Sequence, residues 1–140
     1  YKGYFDFIDF AETLEQESYE VATYGHLSNE ECPSLNEQKG YFTKETIDSV
    51  YENIDILIVP SKCKETFGLI TVEALSYGVN VFVSENVGSK DLLPETHVFK
   101  DKEDLLVKII NNQLEKVPLK TMKEHVEEVI SYYKQVRSNN

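Results

Sequence analysis

Six residues constrain this chain more than any others. Ile54-Asp-Ile-Leu-Ile-Val59 is a short, β-branched apolar run of the kind a parallel sheet buries. Pro60 and Ser61 end it. Leu69, Val72 and Leu75 then recur at helical spacing, and Gly78 stands where a C′ glycine closes a helix. Residues 54–78 therefore read as strand, loop and helix. In open α/β sheets, ligands bind at that junction, outside the carboxyl ends of the strands. Two glutamates bracket the helix start: Glu65 in the loop and Glu73 inside the helix, with Gly68 between them.

The rest of the chain repeats the alternation. Tyr4, Phe5, Phe7, Ile8, Phe10, Ala11 and Leu14 predict a helix over 4–15 with a broad apolar face. Residues 19–24 alternate and contain β formers, so a strand is expected there, ended by Gly25. Residues 26–38 are polar, with Pro33 and two asparagines, and read as a loop. Gly40-Tyr41-Phe42 reads as a very short strand or loop end. Thr43 then caps a helix to about Tyr51, with Ile47, Val50 and Tyr51 inward. The strand at 54–59 and a helix from about 67 to 77 follow, then a strand at 79–84. A turn at 86–89 and a helical turn at 90–93 are stopped by Pro94, and a strand candidate occupies 96–99. Asp101 caps a helix with Leu105, Leu106, Ile109, Ile110 and Leu114 inside. A last helix, about 119–137, carries Met122, Val126, Val129, Ile130, Tyr133 and Val136 at a 3.6 period, expected to be core, as are the aromatics of the first helix. Alternating helices and strands predict one doubly wound, Rossmann-like α/β domain with a mostly parallel sheet.

Composition narrows the partners. Fourteen basic residues against twenty-five acidic ones leave a net charge of −11, with no basic run, so neither nucleic acid nor an anionic bilayer is an expected partner. No apolar run approaches the ~20 residues that span a bilayer, and no signal peptide is visible. Cys32 and Cys63 form no CxxC pair, and reduced thiols in a cytoplasmic protein are expected. His26, His97 and His125 show no metal spacing. The helical pattern starts at the first residues with no strand ahead of it, which reads as a piece of a longer protein.

The junction at 61–78 has a chemistry of its own. The first N–H groups of a helix lack internal partners and carry partial positive charge, so a phosphate or diphosphate is the natural guest. Gly68 has no Cβ, which lets a guest approach the backbone. Two carboxylates beside an anion site make sense when they accept hydrogen bonds from vicinal hydroxyls, as an acidic residue does for ribose in dinucleotide sites. A nucleotide sugar, with diphosphate between hydroxyl-rich rings, meets all of these conditions.

Glu65-Thr-Phe-Gly-Leu-Ile-Thr-Val-Glu73-Ala, a glutamate pair eight positions apart around Phe-Gly-Leu, resembles the signature of retaining glycosyltransferases of the GT-B fold, the group 1, family 4-like enzymes. Asp55-Ile-Leu-Ile-Val-Pro-Ser61 looks like the strand that leads into it. Glu73-Ala-Leu-Ser-Tyr-Gly-Val-Asn-Val-Phe-Val-Ser84 looks like the helix and strand that leave it. Lys2-Gly3, before an aromatic-rich helix, is similar to the Lys-Gly that opens the first helix of that family's donor domain. The resemblance runs from Lys2 to about Ile110. It implies that Glu65 binds donor-sugar hydroxyls and Glu73 the ribose. The amides of Phe67, Gly68 and Leu69 would hold phosphate, with Thr66 in the same loop among the donor contacts. Lys2 would neutralise the diphosphate. Gly40–Phe42 falls near the family's base-binding loop. Gly88-Ser89 and Asp91 stand where the family usually has a Gly-Gly pair and then an acidic residue.

The resemblance further implies one half of a GT-B enzyme. Residues 1–140 would be a single donor-nucleotide-sugar domain, with the acceptor-binding N-terminal domain, and an arginine just upstream of Lys-Gly, absent from these residues. The full enzyme would transfer a sugar from a nucleoside diphosphate to an acceptor hydroxyl with retention, using no metal and no cofactor. This piece alone is expected to be inactive. In that family a C-terminal helix often packs back on the other domain, which would leave part of the last stripe exposed here. Peripheral attachment of the full protein to the cytoplasmic membrane face stays open. The alternative is a non-catalytic, glycosyltransferase-like subunit or interaction module. A phosphoacceptor receiver domain fails, because the strand at 54–59 ends in Pro60-Ser61 with no aspartate.

Overall fold

In the computed structural model, residues 3–24, 37–38, 40, 42–111 and 116–138 are described. Two parallel ladders carry them. β1 (Ala22–Thr23) pairs with β2 (Glu37–Gln38), and β3 (Ile56–Val59), β4 (Asn80–Ser84) and β5 (Val98–Phe99) form a second ladder in that order. Ile56 lies opposite Asn80 and Val59 opposite Val83, while Val83 and Ser84 pair with Val98 and Phe99. Every strand pair among the described residues is parallel.

Helices cover both faces. α1 (Tyr4–Gln16) and α4 (Lys102–Asn111) lie on one side: Phe10, Ala11, Leu14, Leu105 and Ile109 pack there with Phe82 and the half-buried Ile56 and Ile58. α2 (Ile47–Glu52) and α3 (Leu69–Ser76) lie on the other, where Tyr51, Ala74 and Leu75 meet Val81, Val83, Leu57 and Val59. The period-two alternation along β3 and β4 thus feeds two cores at once. This is the expected Rossmann-like α/β arrangement. β4, in the middle of its ladder, is buried throughout, whereas β3 is half-buried along its whole length.

Local chemistry sets the boundaries. α3 closes in a Schellman motif at Gly78 (φ 78°), with Val79 N donating to Ala74 O and Gly78 N to Leu75 O. Asp101 caps α4, its Oδ1 accepting from Asp104 N at 2.9 Å. Burial opposes ionisation of Asp104, but the Lys108 ammonium and the Lys100 amide outweigh it and hold that carboxyl below its ordinary range.

Several expected elements are corrected. The strand expected at 19–24 shrinks to two residues because Tyr19 N donates to Leu14 O, which commits that stretch to the exit from α1. β2 falls in the segment read as loop; the rest of that segment, 26–36, lies outside the described residues, as do Gly25, Tyr41 and Leu114. Gly40 and Phe42 are in no strand. α2 starts at Ile47, since Thr43 N donates to Thr46 Oγ1 in a turn ahead of it. A 3-10 turn spans Gly88–Leu92, and a second one, Glu95–His97, takes up half of the strand expected at 96–99. Phe5 points outward from α1 and Ile110 from α4.

The largest correction concerns α5 (Met122–Ser138). Its stripe is not core: Met122 is 77% exposed and even Val129, the least open of the stripe, is 39% exposed. No described helix is long and apolar enough to cross a membrane.

Candidate active site at the ends of β3 and β4

The carboxyl ends of β3 and β4 are sewn together by polar groups. Buried Ser61 lies just beyond β3, and its carbonyl accepts from Ser84 Oγ at 2.6 Å and Asn86 Nδ2 at 3.2 Å. Its own hydroxyl donates to Cys63 O at 3.2 Å. Each bond satisfies a group that would otherwise be desolvated without a partner.

The two loops then run side by side. Glu65 N donates to Asn86 O at 2.9 Å, Gly88 N donates to Glu65 O at 3.0 Å, and Ser89 N donates to Phe67 O at 2.6 Å. Glu65 and Val87 form a parallel bridge, so the sheet continues past its strands into the motif. A side chain at Gly88 would put Cβ 2.1 Å from Thr66 O, closer than any contact allows. Ser89 is fully buried and its hydroxyl donates to Thr71 Oγ1 at 2.8 Å. The second position of the expected Gly-Gly pair is thus a strut between this loop and α3.

Gly68 turns the loop into the helix. It is the N-cap of α3 in the left-handed region (φ 84°), and a Cβ there would meet Val87 Cγ1 at 2.8 Å. The Glu65 carboxylate lies over it, with Oε2 3.8 Å from that Cβ position. Glu65 is half-buried; Thr66, Phe67 and Leu69 are exposed, Leu69 by 70%. A negative side chain, a left-handed glycine and an open first turn therefore share one small region.

Glu73 follows Leu69 by one turn, on the same face of α3. It is exposed, and Tyr51 Oη donates to its Oε2 at 3.4 Å. Tyr51 is buried, stacked on Tyr77 with ring centroids 4.9 Å apart, and Tyr77 Oη donates to Asp48. Burial, then the neighbouring Glu73 charge, pushes the Tyr51 phenol up to about 12. The hydrogen bond to Asp48, then burial, raises that of Tyr77.

α1 reaches the same end of the sheet. Gly3 (φ 79°) caps it, and a Cβ there would sit 1.6 Å from Pro60 O. Lys62 Nζ pairs with Asp6 Oδ1 at 2.8 Å. Lys2 lies outside the described residues. A cleft of about 160 Å³ opens between Lys64, Glu65, Asn86, Gly88 and Lys90. A larger one, about 530 Å³, opens between Tyr24, Phe42, Thr46 and Val50. Among the described residues no group of three His, Cys, Asp or Glu gathers as a metal site. Cys63 is a free, exposed thiol.

The sequence reading put Glu65 in the loop and Glu73 inside the helix, and the structure places them there; the helix expected from about Phe67 begins at Leu69, after the left-handed Gly68. It missed Tyr51, Tyr77, Thr71 and Ser89. Nothing local in the chain signals a contact across 22 positions, such as Tyr51 to Glu73.

The family model of glycosyl transferases group 1 matches residues 1–128. The chain belongs to that family. Membership implies glycosyl transfer and a nucleotide-sugar substrate. No curated protein matches the chain. Within the group 1 glycosyl transferase frame, the glycines now have a reason in this chain. Gly3 lets α1 meet β3, Gly68 starts α3, and Gly88 lets the two loops touch.

Proposed function

We propose that this chain is the donor-nucleotide-binding domain of a retaining glycosyltransferase of the GT-B type, family 4-like. The observation that carries this reading is the junction at α3. A left-handed Gly68 opens the helix beneath the Glu65 carboxylate, and Glu73 stands one turn further on. On this reading the amides of Phe67, Gly68 and Leu69 hold the diphosphate, which gains from the helix dipole as charge develops on the leaving group. Glu65 accepts from hydroxyls of the donor sugar and Glu73 from those of the ribose. Thr66 lines the same loop, and Lys2 supplies a further positive charge. No divalent metal enters this scheme; dipole and lysine carry the neutralisation.

The acceptor is held by a second domain of the same polypeptide, and transfer takes place between the two with the anomeric configuration retained. The 140-residue chain by itself binds nucleotide weakly and transfers no sugar.

Calorimetric titration with UDP, GDP, ADP and their common sugar conjugates tests the donor site. Saturable binding of one nucleotide, lost in Glu73→Ala, is the expected result. Binding that Glu73→Ala leaves untouched overturns the assignment of the ribose carboxylate. Sugar turnover by the isolated chain overturns the division of labour between two domains.

A further inference from the structure

α2 and α3 are strapped together by four side chains, of which only Glu73 belongs to the expected site. Asp48 and Tyr51 come from α2, three residues apart; Glu73 and Tyr77 come from α3 and its C-cap, four apart. These spacings put each pair on one face of its helix, so the two faces interdigitate. Tyr77 donates to Asp48, Tyr51 donates to Glu73, and the two rings stack with an interplanar angle of 25°.

We infer that Tyr51 is a positioning residue for the Glu73 carboxylate, holding it in the orientation that a ribose diol requires. The inference rests on the donor-site reading above and deepens it. An exposed glutamate on a helix samples many rotamers and loses that freedom when it binds a ligand. Here a buried phenol, itself fixed by the Tyr77 ring, donates to one oxygen of Glu73. A carboxylate has about four acceptor positions, so this contact leaves enough for two vicinal hydroxyls. The donor is permanent as well: a phenol whose ionisation is pushed up to about 12 keeps its proton across all neutral conditions. Glu73 meets the ligand already oriented, and less ordering remains to oppose binding.

Tyr51→Phe tests this, because it keeps the ring, the stack and the buried volume and removes only the hydroxyl. Wild type and Tyr51→Phe are titrated with UDP, GDP and ADP to millimolar concentration. The 2′-deoxy counterpart of whichever nucleotide binds is titrated in parallel. Tyr51→Phe is expected to weaken the ribonucleotide about two- to threefold, the low end for one hydrogen bond, since the contact is long at 3.4 Å. That loss should shrink toward zero with the 2′-deoxy ligand, which lacks one of the hydroxyls that Glu73 accepts from. A Tyr51→Phe chain that binds like wild type overturns the positioning role. So does a loss of equal size with the 2′-deoxy ligand, which shows that Tyr51 does not act through the ribose contact. Absence of nucleotide binding by the wild-type chain at millimolar concentration overturns the donor-site reading itself and takes the positioning role with it. A thermal melt of the variant separates a folding defect from a lost contact.

Discussion

At the scale of single residues, the glycines show how far a sequence can be read. Gly68 was expected to matter because a missing Cβ lets a ligand approach. The structure gives a reason internal to the fold: φ is +84° and Val87 fills the space a side chain would take. Both reasons select glycine, and a sequence does not separate them. Gly88 was legible only as part of a turn. Its real constraint is the carbonyl of Thr66, 22 residues away, 2.1 Å from where a Cβ would be. Backbone cannot rotate aside as a side chain does, so Gly88→Ala must push the 65–67 loop off the 86–89 loop and strain the three bonds between them. A loss of about 1–3 kcal/mol is expected, as for overpacking elsewhere. Urea unfolding of the variant beside wild type measures it, and a midpoint unchanged within error would show that the loops are not coupled as described. The placing of Glu65 and Glu73 around one helix start was legible because the apolar strand before them and the helical spacing of Leu69, Val72 and Leu75 mark that start. Tyr51 was not, since its partner lies on another helix.

At the scale of elements, type was more legible than extent. Helices with strong periodicity and a local cap came out well: α1 and α4 start and run close to the expected positions. Strands came out short. Residues 19–21 alternate like a strand, yet the Tyr19 N–H, the one backbone donor of that residue, is already used to close α1. β2 consists of Glu37 and Gln38, residues with no strand preference, held by pairing with β1 rather than by propensity. Where the cap is local, its strength is predictable too. Asp101 Oδ1 satisfies the Asp104 amide, one of the four N–H groups that α4 leaves open at its start. Asp101→Ala should cost about 1 kcal/mol, and Asp101→Asn, which can still accept the bond, much less. α4 packs through Leu105 and Ile109 into the core shared with α1, so the loss appears in global stability and not as fraying alone. Chemical denaturation of the two variants checks both the size and the order.

At the scale of the whole molecule, the layering was legible and the last helix was not. The run at 54–59 carries apolar residues on both faces, and in that at 79–84 Phe82 lies on the face opposite Val79, Val81 and Val83; only a sheet covered on both sides tolerates this. That argument fixes three layers without knowledge of any contact. The stripe on α5 carries no equivalent constraint. A period of 3.6 says that one face of a helix is apolar; it does not say what lies against it. Among the described residues nothing buries it: every residue from Lys120 to Val136 is exposed. α5 is instead held by its own chemistry. Thr121 and Glu124 form a reciprocal capping box, with Thr121 N donating to Glu124 Oε2 at 2.7 Å and Glu124 N to Thr121 Oγ1 at 3.2 Å. Lys120 pairs with Glu128 at 2.8 Å. Val117 and Leu119, just ahead of it, do pack on the core beside α3 and β4. The boundary of the cooperative unit therefore falls between Leu119 and Met122. A chain ending at Leu119 should melt within about 2 °C of the full one, because it gives up no buried apolar area. A chain ending at Asn111 also loses Val117 and Leu119, and should melt several degrees lower. Scanning calorimetry of the three chains decides: a large drop on removing α5 alone would mean that its apolar face is covered in solution.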